Sequence, residues 1–186
     1  MSVAEEKLSW DDIKDWPESA GRTEIVDGEL VKSPTPATRH QRICTELGVK
    51  IALFNEVRSL GVVFASPMHA ILAKHVHFEP DLCLVLNENR HLIRENYIDG
   101  PPDLVIEVIS ESNRTHDTVV KFQAYAAHGV REYWLVDPRE QEFSTWTLAG
   151  SEFRLLGRAR RGSTLKTSIH SGIRIDPGEI FDRADR

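Results

Sequence analysis

Two apolar runs set closely around one helix constrain this chain more than anything else in it. Residues 103–110 read DLVIEVIS and residues 132–138 read EYWLVDP. Each is short, rich in β-branched or aromatic residues and apolar along most of its length, as strands buried on both faces are. Between them, SESNRTHD (110–117) offers several N-caps, and a helix is predicted from about Asp117 to Ala127, stopped by His128-Gly129. Strand, helix and strand in that order close as a parallel pair through a right-handed crossover. The chain is thereby directed to a mixed α/β (α+β) fold.

The other segments extend that unit. SWDDIKDW (9–16) predicts a short helix capped by Ser9 and ended by Pro17. TEIVDGELVK (23–32) predicts a hairpin turning at Asp27-Gly28. From Arg39 to Leu60 the apolar residues Ile43, Leu47, Ile51 and Phe54 recur at helical steps, and Gly61 should close that helix. GVVFASPMHAIL (61–72) and HVHFEPDLCLVL (75–86) read as strands joined near Lys74, followed by a polar loop with a helical turn over 87–102. Past Pro138, EFSTWTLA and EFRLLGRA form a hairpin, with a last polar strand near Leu165–Ile175 and a final helical turn at DPGEIF. The expected architecture is one domain over 1–186: a mixed β-sheet core (about 23–138) flanked by helices, an N-terminal hairpin and a C-terminal β arm (about 139–186).

Charge narrows the partners. The net charge of −6 argues against sequence-blind affinity for nucleic acid but leaves room for a local basic groove. RLLGRARRGSTLK (154–166) is the dense basic stretch. Its Arg158, Arg160 and Arg161 are candidate DNA phosphate contacts, or a solvated hairpin. No apolar run approaches the ~20 residues of a membrane span. The acidic N-terminus is no signal peptide, so a cytoplasmic protein is expected. Cys44 and Cys83 lack CxxC spacing and read as small buried hydrophobes. HVH (75–77) has the spacing of a strand metal pair, yet a solvated strand start is the simpler reading.

The core strands also carry acids. Asp103 and Glu107 lie four residues apart in one strand and point the same way as Val105. Asp81 lies in EPDLCLVL, where alternation sets His77, Glu79 and Asp81 on one face and Phe78, Leu82 and Leu84 on the other. Burying an ionised carboxylate without a partner is expensive. Such acids need a metal, a base or an opening to water. Taken singly, EPD and PPD also suit the exposed opening of a strand, and Glu107 could pair with an arginine. Taken together, two acids from adjacent strands and a backbone carbonyl suit Mg²⁺ or Mn²⁺. Lys121 shares a helix face with Asp117 and Tyr125, beside an apolar stripe of Val120, Ala124 and Ala127. Its stem can cross that surface and bring the ammonium to Glu107, where it would orient or deprotonate an attacking water. The rival is an exposed Asp117–Lys121 pair.

At this point the chain resembles a known group. Pro80-Asp81 followed by Glu107 on the next strand is similar to the PD-(D/E)XK nuclease superfamily. The wider wording resembles its Uma-type restriction endonuclease branch: EIVDGELV, RHQRI, EPDLCLVL, GPPDLVIEVISESN and DTVVKFQAYAAHGVREYWLVDP, spanning roughly residues 23–138. Position 109, where the basic pattern has lysine, is Ile109; the Uma-type branch likewise carries its lysine on the following helix, which makes Lys121 the stand-in. The resemblance implies a restriction-endonuclease-like fold, with Asp81 and Glu107 as metal ligands and Lys121 as catalytic cation. Asp103, Glu29 and His40 match as supporting positions. The implied activity is metal-dependent hydrolysis of DNA. Cutting both strands needs two active sites, so a two-fold homodimer is expected, with the β-rich tail and N-terminal arm as contact surfaces. The alternatives are a catalytically inactive nuclease-fold module for binding or assembly and, more weakly, a hydrolase of another phosphate ester.

Overall fold

The computed structural model describes residues 7–16 and 22–186. Helix α1 is Trp10–Ile13. Strands β1 (Arg22–Val26) and β2 (Glu29–Ser33) precede the long helix α2 (Thr38–Arg58). Then come β3 (Gly61–Ala65), β4 (His69–Ala73), β5 (Val76–Phe78), β6 (Leu82–Leu86), β7 (Tyr97–Asp99) and β8 (Leu104–Val108). A π-helical turn (His116–Lys121) runs into α3 (Phe122–Ala127). Strands β9 (Glu132–Asp137), β10 (Glu142–Ala149) and β11 (Glu152–Ala159) and helix α4 (Pro177–Ala184) complete the chain. No helix among the described residues is long and apolar enough to cross a membrane.

The strands form two mixed sheets. The larger has the order β11-β10-β9-β8-β6-β3 and the smaller β2-β1-β5-β4-β7. At the centre of the larger sheet, β8 and β9 run parallel in register from Leu104↔Glu132 to Val108↔Val136, as the two apolar runs require. Both faces of these strands are buried. Leu82, Leu84, Leu104, Ile106 and Val108 face Ile43, Leu47 and Ile51 of α2 and Phe181 of α4. Cys83, Val85 and Val105 face the other way, toward Phe78 and Tyr125. Trp134 is fully buried in the first cluster, and both cysteines are free.

Local signals explain most boundaries. Asp12 caps α1 by reaching back to Ser9, whose N–H and Oγ–H both donate to Asp12 Oδ2 at 2.8 and 2.6 Å; Pro17 lies outside the described residues. Asp27 and Gly28 both take positive φ (55° and 90°), the two-residue hairpin turn expected of that pair. Helix α2 ends at Ser59, which adopts the left-handed conformation, two residues before the predicted stop at Gly61. Gly61 instead opens β3, where a Cβ would run into the Val85 carbonyl of the paired strand.

Several predictions are corrected. The strands read over 61–72 and 75–86 each break at X-Pro, Ser66-Pro67 and Glu79-Pro80, and their halves join different sheets. Phe78 therefore does not share a face with Leu82 and Leu84. The polar loop contains β7, and 165–175 is not a strand, although Leu165, Ile173 and Ile175 are buried. The C-terminal β segment is a hairpin that extends the larger sheet from β9. On the helix, the buried residues are Asp117, Lys121, Tyr125 and Ala126; Val120 is half-buried and Ala127 exposed.

Candidate active site

The antiparallel register of β6 and β8, Leu82↔Ile106, carries Asp81 level with Glu107 one step beyond the end of the ladder. Asp81 Oδ2 accepts the Val108 N–H at 2.7 Å, which ties the acid to the neighbouring strand. From the first turn of α2, His40 Nε2 approaches the same oxygen at 3.2 Å. Arg22, at the start of β1, donates to Asp81 Oδ1, and its Nη1 lies 3.9 Å from Glu107 Oε2. The two acids are 2% and 1% exposed.

Lys121 reaches the pair. Its Nζ donates to Glu107 Oε1 at 3.0 Å and lies 2.9 Å from Glu24 Oε1 and 3.7 Å from Asp117 Oδ1. At 2% exposure it is not the surface pair of the rival reading. The Tyr125 hydroxyl donates to Glu107 Oε1 at 3.1 Å, and the Lys121 ammonium stands 5.9 Å over the Phe78 ring. The wide π-turn lets successive buried positions aim into one pocket, and such turns are frequent at functional sites. Its carbonyl at Asp117 accepts the Tyr133 hydroxyl at 3.0 Å.

Four carboxylates, Glu24, Asp81, Glu107 and Asp117, thus face two fixed cations, Arg22 and Lys121, apart from the imidazoles His40 and His116. Burial raises Asp81, but hydrogen bonding from His40 and the Arg22 charge outweigh it and hold the acid at about 2. Burial also works against Glu24, and the Lys121 charge and the hydrogen bond with His116 (2.7 Å) overcome it, to about 2. Glu107 goes the other way. Burial drives it up to about 8, Lys121 opposes, and the Asp81 charge adds to the rise. Burial takes Asp117 to about 6. Asp81 and Glu24 are thus ionised at neutral pH, while Glu107 holds its proton although the Lys121 ammonium lies 3.0 Å away. Lys121 is buried, which lowers it, but Glu107 and Glu24 raise it further and keep it protonated.

Arg22, His40, Asp81, Glu107, Asp117 and Lys121 line a cavity of about 690 Å³ together with Arg39, Arg114 and Arg139. Asp81 Oδ1 and Glu107 Oε2 point to one spot, now faced by Arg22. Both are hard oxygen donors, and once Glu107 gives up its proton the four carboxylates exceed the two fixed cations by two charges, which matches a divalent cation. The donor set therefore fits Mg²⁺ or Mn²⁺. A softer set also exists nearby, since His40, Cys44 and Asp81 offer ligand atoms within 4.8 Å of one another. Burial and the Asp81 charge push the Cys44 thiol up, which disfavours the thiolate that a soft metal would need.

Other predicted residues lie elsewhere. Asp103 sits at the opposite end of β8, where it accepts the Leu86 N–H and the Asn89 amide, both at 2.8 Å, and meets Arg131 at 3.2 Å. It organises a loop. Glu29 is exposed beside the hairpin turn, and the acid of that hairpin that enters the site is Glu24. Arg158 and Arg160 pair with Glu142, and Arg161 with Asp182. His77, read as solvated, is 1% exposed. Arg22, Glu24, His116 and Tyr125 were not anticipated; for Glu24 the signal was an acid between Thr23 and Ile25 in a strand otherwise built for burial.

A mixed-sheet fold with two strand-end acids and a helix-borne lysine is a nuclease-like arrangement. The whole fold matches the crystal structure of a "putative nuclease belonging to DUF820" from Anabaena variabilis ATCC 29413, with a TM-score of 0.78 over 95% of this chain and 99% of that one. Identity is 18%, so the likeness is one of fold. Residues 10–177 match the Uma2 family, described as "Putative restriction endonuclease", and the chain belongs to that family. No curated protein matches it.

Proposed function

We propose that the protein is a metal-dependent endonuclease that hydrolyses DNA phosphodiester bonds. The observation that carries this reading is the convergence of Asp81 and Glu107, from separate strands, on the wall of a cavity where Lys121 is buried against Glu107. Asp81 and Glu107 would hold the ion, and His40, Val108 N–H and Tyr125 fix the orientation of those carboxylates. When bound, a divalent cation supplies Lewis-acid polarisation of the phosphate and a more acidic water.

Lys121, held protonated, acts as a charge rather than a base: it steadies the anion that builds up on the phosphate. Glu24 and Asp117 position its ammonium. Arg39, Arg114 and Arg139 at the cavity wall are suited to the flanking phosphates, and the exposed Arg158, Arg160 and Arg161 are a second, outlying candidate. The chain would work as one unit over 1–186 and as a homodimer, because cutting both strands calls for two sites.

The test is cleavage of plasmid and branched DNA with Mg²⁺, Mn²⁺ or EDTA, with light scattering of the same sample for its mass. Cleavage is expected with metal and not with EDTA. Lys121→Met should lose roughly two orders of magnitude or more of that cleavage, the scale of a lost electrostatic group. Absence of metal-dependent cleavage would favour the inactive binding module instead.

A further inference from the structure

Two imidazoles and a carboxylate not used above meet on the smaller sheet. β4 supplies His69, β5 supplies His77, and Glu79 follows β5 directly. His69 Nδ1 lies 2.9 Å from His77 Nε2 and 3.8 Å from Glu79 Oε1, and one ligand atom from each residue lies within 4.8 Å of the others. Trp10 of α1 covers both rings, with centroids 4.6 and 4.8 Å away. The cluster opens on a cavity of about 740 Å³, which Trp16 and Lys32 also line.

One atom of the cluster is short of a partner. The two rings share one hydrogen bond, and Nδ1 of His77 is buried with no partner among the described residues. Glu79, 6% exposed, accepts the Thr23 N–H at 3.1 Å, and its ion-pair neighbour among the described residues is His69. Nε2 of His77 faces His69 and would be the ligating atom, so the unpartnered Nδ1 on the other side of that ring is left as it is by an ion here, and the assignment stands on the closeness of the three ligand atoms at the cavity.

We propose that His69, His77 and Glu79 form a second metal site, for a borderline divalent transition ion such as Zn²⁺. Mixed nitrogen and oxygen donors suit that class, whereas the all-oxygen pair Asp81 and Glu107 suits Mg²⁺. Zinc bonds of ~2.0–2.1 Å at the tetrahedral angle hold two nitrogens about 3.3 Å apart. The observed 2.9 Å between the rings and 3.8 Å to Glu79 bracket that value, so the side chains need shift only slightly. Three protein ligands facing a cavity leave the fourth position open, as in reactive rather than purely structural zinc sites. Glu79 also touches the neighbouring site, because its N–H donates to Glu24 Oε1 at 3.0 Å. The assignment does not depend on the nuclease reading.

The full chain, stripped with a chelator, is titrated with Zn²⁺ by calorimetry in excess Mg²⁺, with Co²⁺ as a spectroscopic probe. One ion per chain is expected, with the visible bands of four-coordinate nitrogen–oxygen ligation for Co²⁺ and a higher melting temperature with Zn²⁺. His69→Ala and His77→Ala should each weaken binding roughly a hundredfold or more, and Cys44→Ser should leave it unchanged. Metal-free melting reports folding, and the half-exposed His69→Gln carries the test if His77→Ala does not fold. Three results overturn the proposal: no uptake of Zn²⁺ in Mg²⁺, uptake unchanged in the histidine variants, or uptake lost in Cys44→Ser.

Discussion

Glu79 and Asp81 flank a single proline, yet they end in different surroundings. Asp81 receives a backbone N–H, an imidazole and a guanidinium, and stays ionised at about 2. Glu79 receives one backbone N–H and a more distant imidazole, and burial raises it from its ordinary value. The break at Pro80, which sends β5 and β6 to different sheets, separates the two. Between these two buried acids, the donors that meet each one make the difference.

Exchanging each acid for its amide should sharpen that contrast. Asp81→Asn is expected to give the largest effect: cleavage falls by roughly two orders of magnitude or more. It also costs about 3–5 kcal/mol of stability, because Arg22 loses its buried partner. Glu79→Gln should cost cleavage roughly tenfold less than Asp81→Asn does, while removing the zinc uptake that Asp81→Asn keeps. Plasmid nicking, urea denaturation and calorimetry on the two variants read all three. Equal losses of cleavage would erase the distinction.

Glu107 extends the comparison to pH. Its carboxyl sits at about 8 in the fold against an ordinary 4.5, so between those values the folded protein keeps a proton that the unfolded chain has lost. Metal-free stability must therefore fall as pH rises through that window, by up to about 1.4 kcal/mol per unit. Asp117, raised to about 6, adds the same sign only below 6. His77, lowered to about 3, adds the opposite sign only below 6.5. From pH 6.5 to 8 Glu107 acts alone among these. Denaturation in EDTA should show the fall there in the wild type and a flat line for Glu107→Gln. Divalent metal binding, which must expel the same proton, should tighten over that interval.

Much of this site could be read before the fold was known. Strands buried on both faces are written as continuous apolar runs, so β8 and β9 were plain and the acids within or beside such runs stood out. Lys121 followed from four-residue spacing. Glu24 did not, because an acid in a hairpin turns inward only through the distant pairing of Ile25 with His77. Glu29, five residues on, has the same local chemistry and stays in water. The strand breaks at Pro67 and Pro80 were signalled, since proline donates no ladder hydrogen bond, but the apolar pattern runs straight across them. Alternation is also blind to what lies opposite a strand, so the histidines of 75–77 read alike whether buried or solvated.

The smallest expected effect concerns the other conspicuous cations. Lys121 is a lone lysine sunk among carboxylates, whereas Arg158 and Arg160 are 57% and 62% exposed and share Glu142 at 2.8 and 2.9 Å. Exposed pairs of this kind contribute under about 1 kcal/mol each, since water screens the charges and long side chains lose freedom to meet. Replacing both arginines by alanine should therefore shift stability little. DNA binding gives the sharper reading. An arginine that neutralises a phosphate displaces a condensed counterion, so each such arginine removed should lower the slope of log affinity against log salt by about 0.9. If the stretch touches DNA, the double variant drops by between one and two such steps while cleavage per bound complex is kept. An unchanged slope would mark the stretch as a solvated hairpin paired with Glu142, and would leave the phosphates to Arg39, Arg114 and Arg139 on the cavity wall.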